Sequence, residues 1–547
     1  MTRLLFVLIC AIGAALRFYN LGIVPNSLDW DEVSMQYNAY SLLLHGKDEY
    51  GNTWPLSIRS FNDYKPPLYT YLAIPSIAIF GNNEFAIRFS SAFIGSLTIP
   101  FVFLLTRQYI SKTTIPYAKY LPFASMAVFA LSPWSIQFSR AAFEANIAVF
   151  FVTAGMYMFC KYLSTSATLW MYAAAVFLAT AMYAYHAPRL IVPLLAIAMF
   201  IRYKLWKKEY RKTVTISACI ALIIIAPLAI VLIRGNAASR FSSVSIFNPS
   251  QSMHRTLEYA HEDEKEGKWQ TILHNRRILY IQQFIKGYLD HFYPAAMFLT
   301  GDPVGRHHAP DVGMFYLIEL PFMIRGIIVL IQIKFRYKFL YFFWAIIAPI
   351  PAAIATGTPH AIRSILFLPI PQIAIAAGIC MIVHDVGQIK ATISEKAKYI
   401  KTAIAVIAAL YIINITYYLH QYYTFTDIEY APEWQYGYKE LMSYLKQIEH
   451  KYEKIIITTA WDQPYIYVLH YHNYDPRQWI NNGEFNKGFD KYEFRTIEFE
   501  KDRRLKNTLL IGSFLEIPQG EPGTIKVIPF PDKKRDVFRI YETTIHN

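Results

Sequence analysis

Apolar runs long enough to cross a bilayer recur along most of the chain, and they restrict it to a polytopic membrane fold. A spanning helix takes roughly 20 residues, with a range of about 17–25. Runs of that kind lie near 3–19, 86–108, 119–136, 145–163, 168–185, 188–203, 213–233, 313–333, 339–356, 361–383 and 400–419, which predicts about eleven transmembrane helices. A shorter run, "PPLYTYLAIPSIAIF" (66–80), is interrupted by Pro75 and reads as interfacial or re-entrant. Composition agrees: 54% of the 547 residues are hydrophobic and only 17% are charged, where a soluble domain carries about 25% charge.

The net charge of +14 does not indicate a nucleic-acid partner. Lys and Arg cluster in short loops between apolar runs, the pattern that keeps basic loops on the cytoplasmic side. With a cytoplasmic N-terminus, "RQYISK" (107–112), Lys161, "RYKLWKKEYRK" (202–212), "KFRYK" (334–338) and "KATISEKAKYIK" (390–401) all fall inside. Counting 66–80 as a span would put the basic 202–212 loop outside, so it is left uncounted. The outer face then receives the 20–85 loop, "FSRAAFEAN" (138–146), "YHAPR" (185–189), the 234–312 segment, "GTPHAIRS" (357–364) and everything after 420. These segments hold most histidines and isolated acids, so the chemistry is expected there, on the outer side of the cell (plasma or inner) membrane.

The start "MTRLLFVLICAIGAALRFYN" has the basic end and apolar run of a signal peptide. It lacks a small-residue cleavage site and is read as a retained first helix. Cys10, Cys160, Cys219 and Cys380 fall inside apolar runs without metal-ligand spacing; they read as small core hydrophobes, with no disulfide framework. From about 425 the composition changes. An amphipathic helix (433–450), the strands "KIIITTA" and "NTLLIGSF", and the further strand candidates "TIKVIPF" and "DVFRIYET" predict a small α/β domain. The expected organisation is a transmembrane catalytic domain over 1–425 and an extracytoplasmic α/β domain over 426–547. The latter shows no nucleophile elbow, P-loop or GxGxxG.

Five short stretches could carry chemistry. "SLDWDEVSMQ" sets Asp29, Asp31 and Glu32 just beyond the first apolar run. Asp29 with Glu32 three residues on is a capping-box pattern, which leaves Asp31 to face a cavity. In "FNDYKPPLYTY" a Pro-Pro pair fixes the backbone after Lys65, placing an amine to meet a lipid phosphate or simply to snorkel. In "SPWSIQFSRAAFEAN", Arg140 and Glu144 are spaced for an i,i+4 helical pair, and an acid opening an apolar span is costly unless it lines a wet cavity. "YHAPR" (His186, Arg189) and "TPHAIRS" (His360, Arg363) each set a histidine and an arginine three apart at the outer boundary. Arginine's planar fork matches phosphate oxygens. Acids facing a ring of cations suit a phosphate-bearing lipid donor and an acceptor that must lose a proton: a carboxylate as general base, the cations on the phosphate.

The succession "DWDE", "NAY", "DYKPPLY", "FGNNEFAIRFSSAFIG" and "SPWSIQFSRAAFEAN" closely resembles the ArnT-like and protein O-mannosyltransferase group of integral membrane glycosyltransferases, which have the GT-C fold. The resemblance covers roughly residues 1–200 and is looser to about 420. It implies transfer of a sugar from a polyprenyl-phosphate carrier to a protein, lipid or cell-wall acceptor on the outer side of the membrane, usually with inversion. It also implies that Asp31 is the catalytic base with Glu32 beside it, that Lys65 contacts the carrier phosphate, and that Glu144 takes the place of a second acid, often Asp in relatives. His186, Arg189, His360 and Arg363 are added to the phosphate pocket from the residues themselves. Some members of the group bind a divalent metal near the acidic loop and others do not; Asp31, Glu32 and Glu144 could hold one through oxygen ligands.

Three other readings compete. An oligosaccharide-moving relative would need acceptor-recognition motifs that the chain does not show. A polyprenyl-phosphate-sugar transporter or flippase would put charges near the bilayer midplane and often repeat its halves. A catalytically inactive relative would have little reason to keep Asp31, Lys65 and Glu144.

Overall fold

The computed structural model describes residues 2–61, 63–111, 118–234, 245–247, 258, 275–388, 392–482 and 488–543. Much of the outer 234–312 segment, and parts of the 107–112 and 390–401 loops, therefore lie outside the described residues. A helix forms in every one of the eleven apolar runs, from Thr2–Phe18 to Ile393–His420. Among the described residues, five helices can each cross a membrane alone by length and composition, and six spans result if the bent pair Leu121–Leu131 and Pro133–Arg140 counts as one. The helices in the other runs have 17 residues or fewer. The 66–80 run becomes a 13-residue helix, Leu68–Phe80, with Pro75 inside it.

Contacts divide the described chain into two units, one of Met1–Phe18 with Ser91–Leu419 and one of Tyr19–Ser90 with His420–Asn547. The 20–85 loop, assigned to the transmembrane domain from sequence order, thus groups with the C-terminal segment.

The first unit is helical. Its tightest crossing joins Glu319–Gln332 to Ile370–Gly387. A Cβ at Gly326 would sit 1.8 Å from the Ala374 carbonyl oxygen, and one at Gly378 1.8 Å from that of Phe322. Two glycines facing one another let two backbones meet, the way apolar helices gain packing where no hydrophobic effect drives them together. Arg17, buried near the end of the first helix, is satisfied rather than stranded. It donates to Ser135 Oγ (2.7 Å), Ser139 Oγ (3.2 Å), and the carbonyls of Gly13 (2.8 Å) and Ala130 (3.1 Å). Arg140 Nη1 donates to the Leu16 carbonyl (3.0 Å), serving an end-of-helix acceptor.

The second unit carries two sheets. β1 (Ile58–Ser60) and β2 (Asp63–Lys65) form an antiparallel hairpin in register Ile58↔Lys65. β3 (Lys454–Ile457), β4 (Gly488–Phe489), β5 (Tyr492–Phe494), β6 (Thr508–Gly512), β7 (Thr524–Pro529) and β8 (Asp536–Glu542) form a mixed sheet ordered β4-β5-β3-β6-β8-β7. Central β3 runs parallel to both β5 and β6. The continuous apolar runs "III" and "LLI" suit strands buried on both faces; Ile456 and Leu510 pack with Ile497, Phe499, Ile517 and Tyr541. Tyr467 OH donates to the Leu28 carbonyl (3.0 Å) and Trp30 N to Gln435 Oε1 (3.3 Å). These bonds tie the acidic loop to the C-terminal segment.

Candidate active site

Each unit holds part of the predicted set. In the second unit, Trp30–His45 is a helix whose cap is the one its sequence announces. Glu32 N donates to Asp29 Oδ1 (2.9 Å) and Asp29 N to Glu32 Oε2 (3.3 Å), a complete capping box. Asp31 occupies the first turn, where the helix dipole favours an ionised carboxylate. Lys65 ends β2 immediately before Pro66, and its Nζ lies 2.9 Å from Asp31 Oδ1. The lysine side chain is 3% exposed and the aspartate 34%. The amine is thus sequestered while one side of the carboxylate stays open. Ser60 Oγ donates to Ser34 Oγ (2.8 Å), fastening the hairpin to the helix.

Glu32 does different work from its neighbour. Arg88 Nε and Nη2 donate to its two oxygens at 3.0 and 2.9 Å, and both side chains are buried. Arg88 also donates to the carbonyls of Pro25 and Ser27, both at 2.7 Å. Glu32 thereby holds the arginine that stitches the loop before the helix into place.

Farther into the loop, Glu49 is buried and accepts from Asn38 Nδ2 (3.0 Å) and Tyr465 OH (3.3 Å). Burial pushes its carboxyl up to about 8, because desolvation disfavours the charged form.

In the first unit, Glu144 is buried and opens the helix Glu144–Thr165. The expectation that Arg140 and Glu144 share a single helix is corrected. Arg140 ends the helix Pro133–Arg140, and Ala141 turns extended at φ −100°, ψ 161°. The chain leaves the helix before Glu144 starts the next one. His186 and Arg189 do meet, with Arg189 Nη1 2.9 Å from His186 Nδ1. Arg363 Nη1 donates to the Thr356 carbonyl (2.6 Å) within its own loop.

His360 gains partners that its sequence neighbourhood does not announce. Asp302, His307 and His360 form the one group of three metal-capable side chains found among the described residues, their donor atoms all within 4.8 Å of one another. His307 Nδ1 lies 2.6 Å from Asp302 Oδ2, and Ala361 N donates to the same oxygen at 2.6 Å. Burial pushes the Asp302 carboxyl up, but the His307 charge and these bonds outweigh it and hold the group below the usual carboxylate range. Burial, with His307 and Arg363 nearby, lowers His360 well below an ordinary histidine. Gly301, at φ +73°, leaves room for the His308 ring, which a Cβ there would meet at 2.3 Å. The signal in sequence is "GDPVGRHH", an acid five residues before a histidine in the outer segment, but its third member comes from a distant loop.

A helical body and an α/β segment, with a carboxylate–lysine pair in the loop after the first helix, are found in a chain of the GT-C fold. The fold is shared with ArnT from Cupriavidus metallidurans bound to undecaprenyl phosphate, at TM-score 0.53 and 12% identity over 98% of this chain and 97% of that one. It is shared also with the archaeal oligosaccharyltransferase AglB from Archaeoglobus fulgidus in complex with an inhibitory peptide and a dolichol-phosphate, at TM-score 0.53 and 12% identity over 93% of this chain and 69% of that one. No curated protein matches in sequence. Residues 7–238 match the family model described as dolichyl-phosphate-mannose-protein mannosyltransferase.

Proposed function

We propose that the chain moves a sugar from a polyprenyl-phosphate carrier to an acceptor hydroxyl on the outer side of the cell membrane, with inversion at the anomeric carbon. The N-terminus is cytoplasmic and the C-terminal α/β segment extracytoplasmic. Asp31 takes the acceptor proton as the acceptor oxygen bonds to the anomeric carbon. The bond from that carbon to the phosphate oxygen breaks, and carrier phosphate leaves with its electron pair. Lys65 stabilises the charge gathering on that phosphate. Phosphate is a good leaving group, so one base suffices and no general acid is required. Glu144 is assigned the part of a second acid and His186, Arg189 and Arg363 that of further cations for the phosphate, while Glu32 positions the loop through Arg88.

The observation that carries this reading is the 2.9 Å approach of a buried Lys65 to a part-exposed Asp31, which sets the base and the phosphate ligand side by side. The matched family's description, a mannose donor on dolichyl phosphate and a protein acceptor, supports a lipid-linked donor and a protein hydroxyl as acceptor.

The test is a transfer assay on purified protein in lipid, with a panel of radiolabelled polyprenyl-phosphate sugars and membrane extract as acceptor. Released carrier phosphate is followed for wild type, Asp31→Asn and Lys65→Ala, and product anomeric configuration is read by NMR. Release by wild type alone, with inverted product, is expected. Full activity in a folded Asp31→Asn protein overturns the assignment of the base. A reporter enzyme active only outside the membrane, fused after residue 543, checks the orientation.

A further inference from the structure

We infer that Asp302, His307 and His360 form a binding site for a divalent transition-metal ion of the zinc type, distinct from the acidic loop. Three observations converge. First, the donor set is one carboxylate and two imidazoles with ligating atoms all within 4.8 Å of one another, the mixed oxygen and nitrogen set that zinc takes in tetrahedral sites. Second, the ring Nδ1 of His360 is buried and has no hydrogen-bond partner. A buried imidazole nitrogen left unpaired loses its water without replacement, and an ion supplies that partner. Third, His307 Nδ1 and Asp302 Oδ2 lie 2.6 Å apart, and an ion that displaces the proton between them takes both atoms as ligands.

The surroundings are built to keep these groups where they are. Phe138 and Phe143 pack against the His307 ring with centroids at 5.4 and 5.9 Å, and the His307 and His360 rings lie 5.0 Å apart. The loop that carries His360 is pinned on each side. Thr358 Oγ1 donates to Asp290 Oδ2 (2.7 Å), His360 N to His291 Nε2 (3.2 Å), and Ala361 N to Asp302 Oδ2. A hard ion such as Mg²⁺ prefers oxygen ligands and retained water, so two imidazoles select against it. With three protein ligands the ion keeps a coordination position for water or an oxygen of a ligand. It also joins the 301–308 segment to the 356–364 loop.

The experiment reads metal rather than transfer, so its outcome is independent of the proposed sugar chemistry. Purified full-length protein is stripped with chelator, dialysed, and titrated with Co²⁺ and Zn²⁺. Bound metal is measured by mass spectrometry and coordination by the visible Co²⁺ spectrum. Close to one equivalent is expected for wild type, with the intense d–d bands of a tetrahedral site. His360→Ala and His307→Ala should lose that equivalent while remaining monodisperse. His360→Gln, closer in shape, is the second variant should the alanine proteins aggregate. Asp31→Asn should bind like wild type. Failure of the stripped wild type to bind above buffer background overturns the proposal, and so does equal retention by folded His360 and His307 variants. Loss of the metal in Asp31→Asn alone would move the site to the acidic loop and overturn it as well.

Discussion

Lys65 Nζ sits 2.9 Å from Asp31 Oδ1, with the lysine buried and the carboxylate open on one side. The pair has opposite consequences for its two members. The ammonium orients Asp31, and Asp31 gives the buried cation a counter-charge. Asp31→Asn should therefore lower transfer by about 10²–10⁴-fold, the usual weight of a positioned general base, while the thermal midpoint stays near wild type. Lys65→Arg should restore only part of what Lys65→Ala loses, because a planar fork does not replace a compact ammonium in a closed site. Initial rates of carrier-phosphate release read both effects.

Glu32 and Arg88 should report on folding rather than catalysis. Both side chains are buried, and the arginine reaches three loop carbonyls besides the carboxylate. Glu32→Gln leaves a buried guanidinium without its counter-charge and should cost about 3–5 kcal/mol. Replacing both residues with apolar ones of similar volume should recover part of that loss. Thermal unfolding in detergent, together with expression level, separates the single from the double variant.

The glycine crossing gives a steric prediction. A side chain at Gly326 or Gly378 would meet a backbone carbonyl, which cannot rotate away as a side chain can. Gly326→Leu should part the two helices and lower the thermal midpoint, with overpacking costing roughly 1–3 kcal/mol or more. Gly378→Ala should act in the same direction and less strongly.

Glu49 predicts a pH dependence whose sign follows from its raised folded-state value. Its carboxyl is near 8 in the fold against an ordinary 4.5. Between those values the folded state holds a proton that the unfolded chain has released. Stability is thus fully present below about 4.5 and is lost as pH rises through about 8. The wild-type midpoint should decline across that window, and Glu49→Gln should flatten the decline. Midpoints measured at half-unit steps from pH 5 to 9 check this.

Local chemistry was readable from the residues; long-range pairing was not. The capping box of Asp29 and Glu32 follows from a three-residue spacing and forms as read. The apolar runs mark their helices because burial in lipid demands continuous hydrophobicity. The partners of those same residues escaped. Nothing in "FAIRF" announces that Arg88 holds Glu32, and nothing in "GDPVGRHH" announces His360. The break between Arg140 and Glu144 was missed because "RAAFE" has ordinary helical composition; the residues there turn extended without a proline or glycine to mark it. The β4–β5 hairpin consists of strands too short to show alternation. The grouping of the 20–85 loop with the C-terminal segment is a matter of contact, on which sequence order is silent.

The acidic loop is translated early, yet Leu28 and Trp30 complete their hydrogen bonds with Tyr467 and Gln435, which leave the ribosome several hundred residues later. The Asp31–Lys65, Glu32–Arg88 and Ser34–Ser60 contacts, by contrast, join residues all within the first 88, so the loop gathers its own fastenings early and those to the C-terminal segment last.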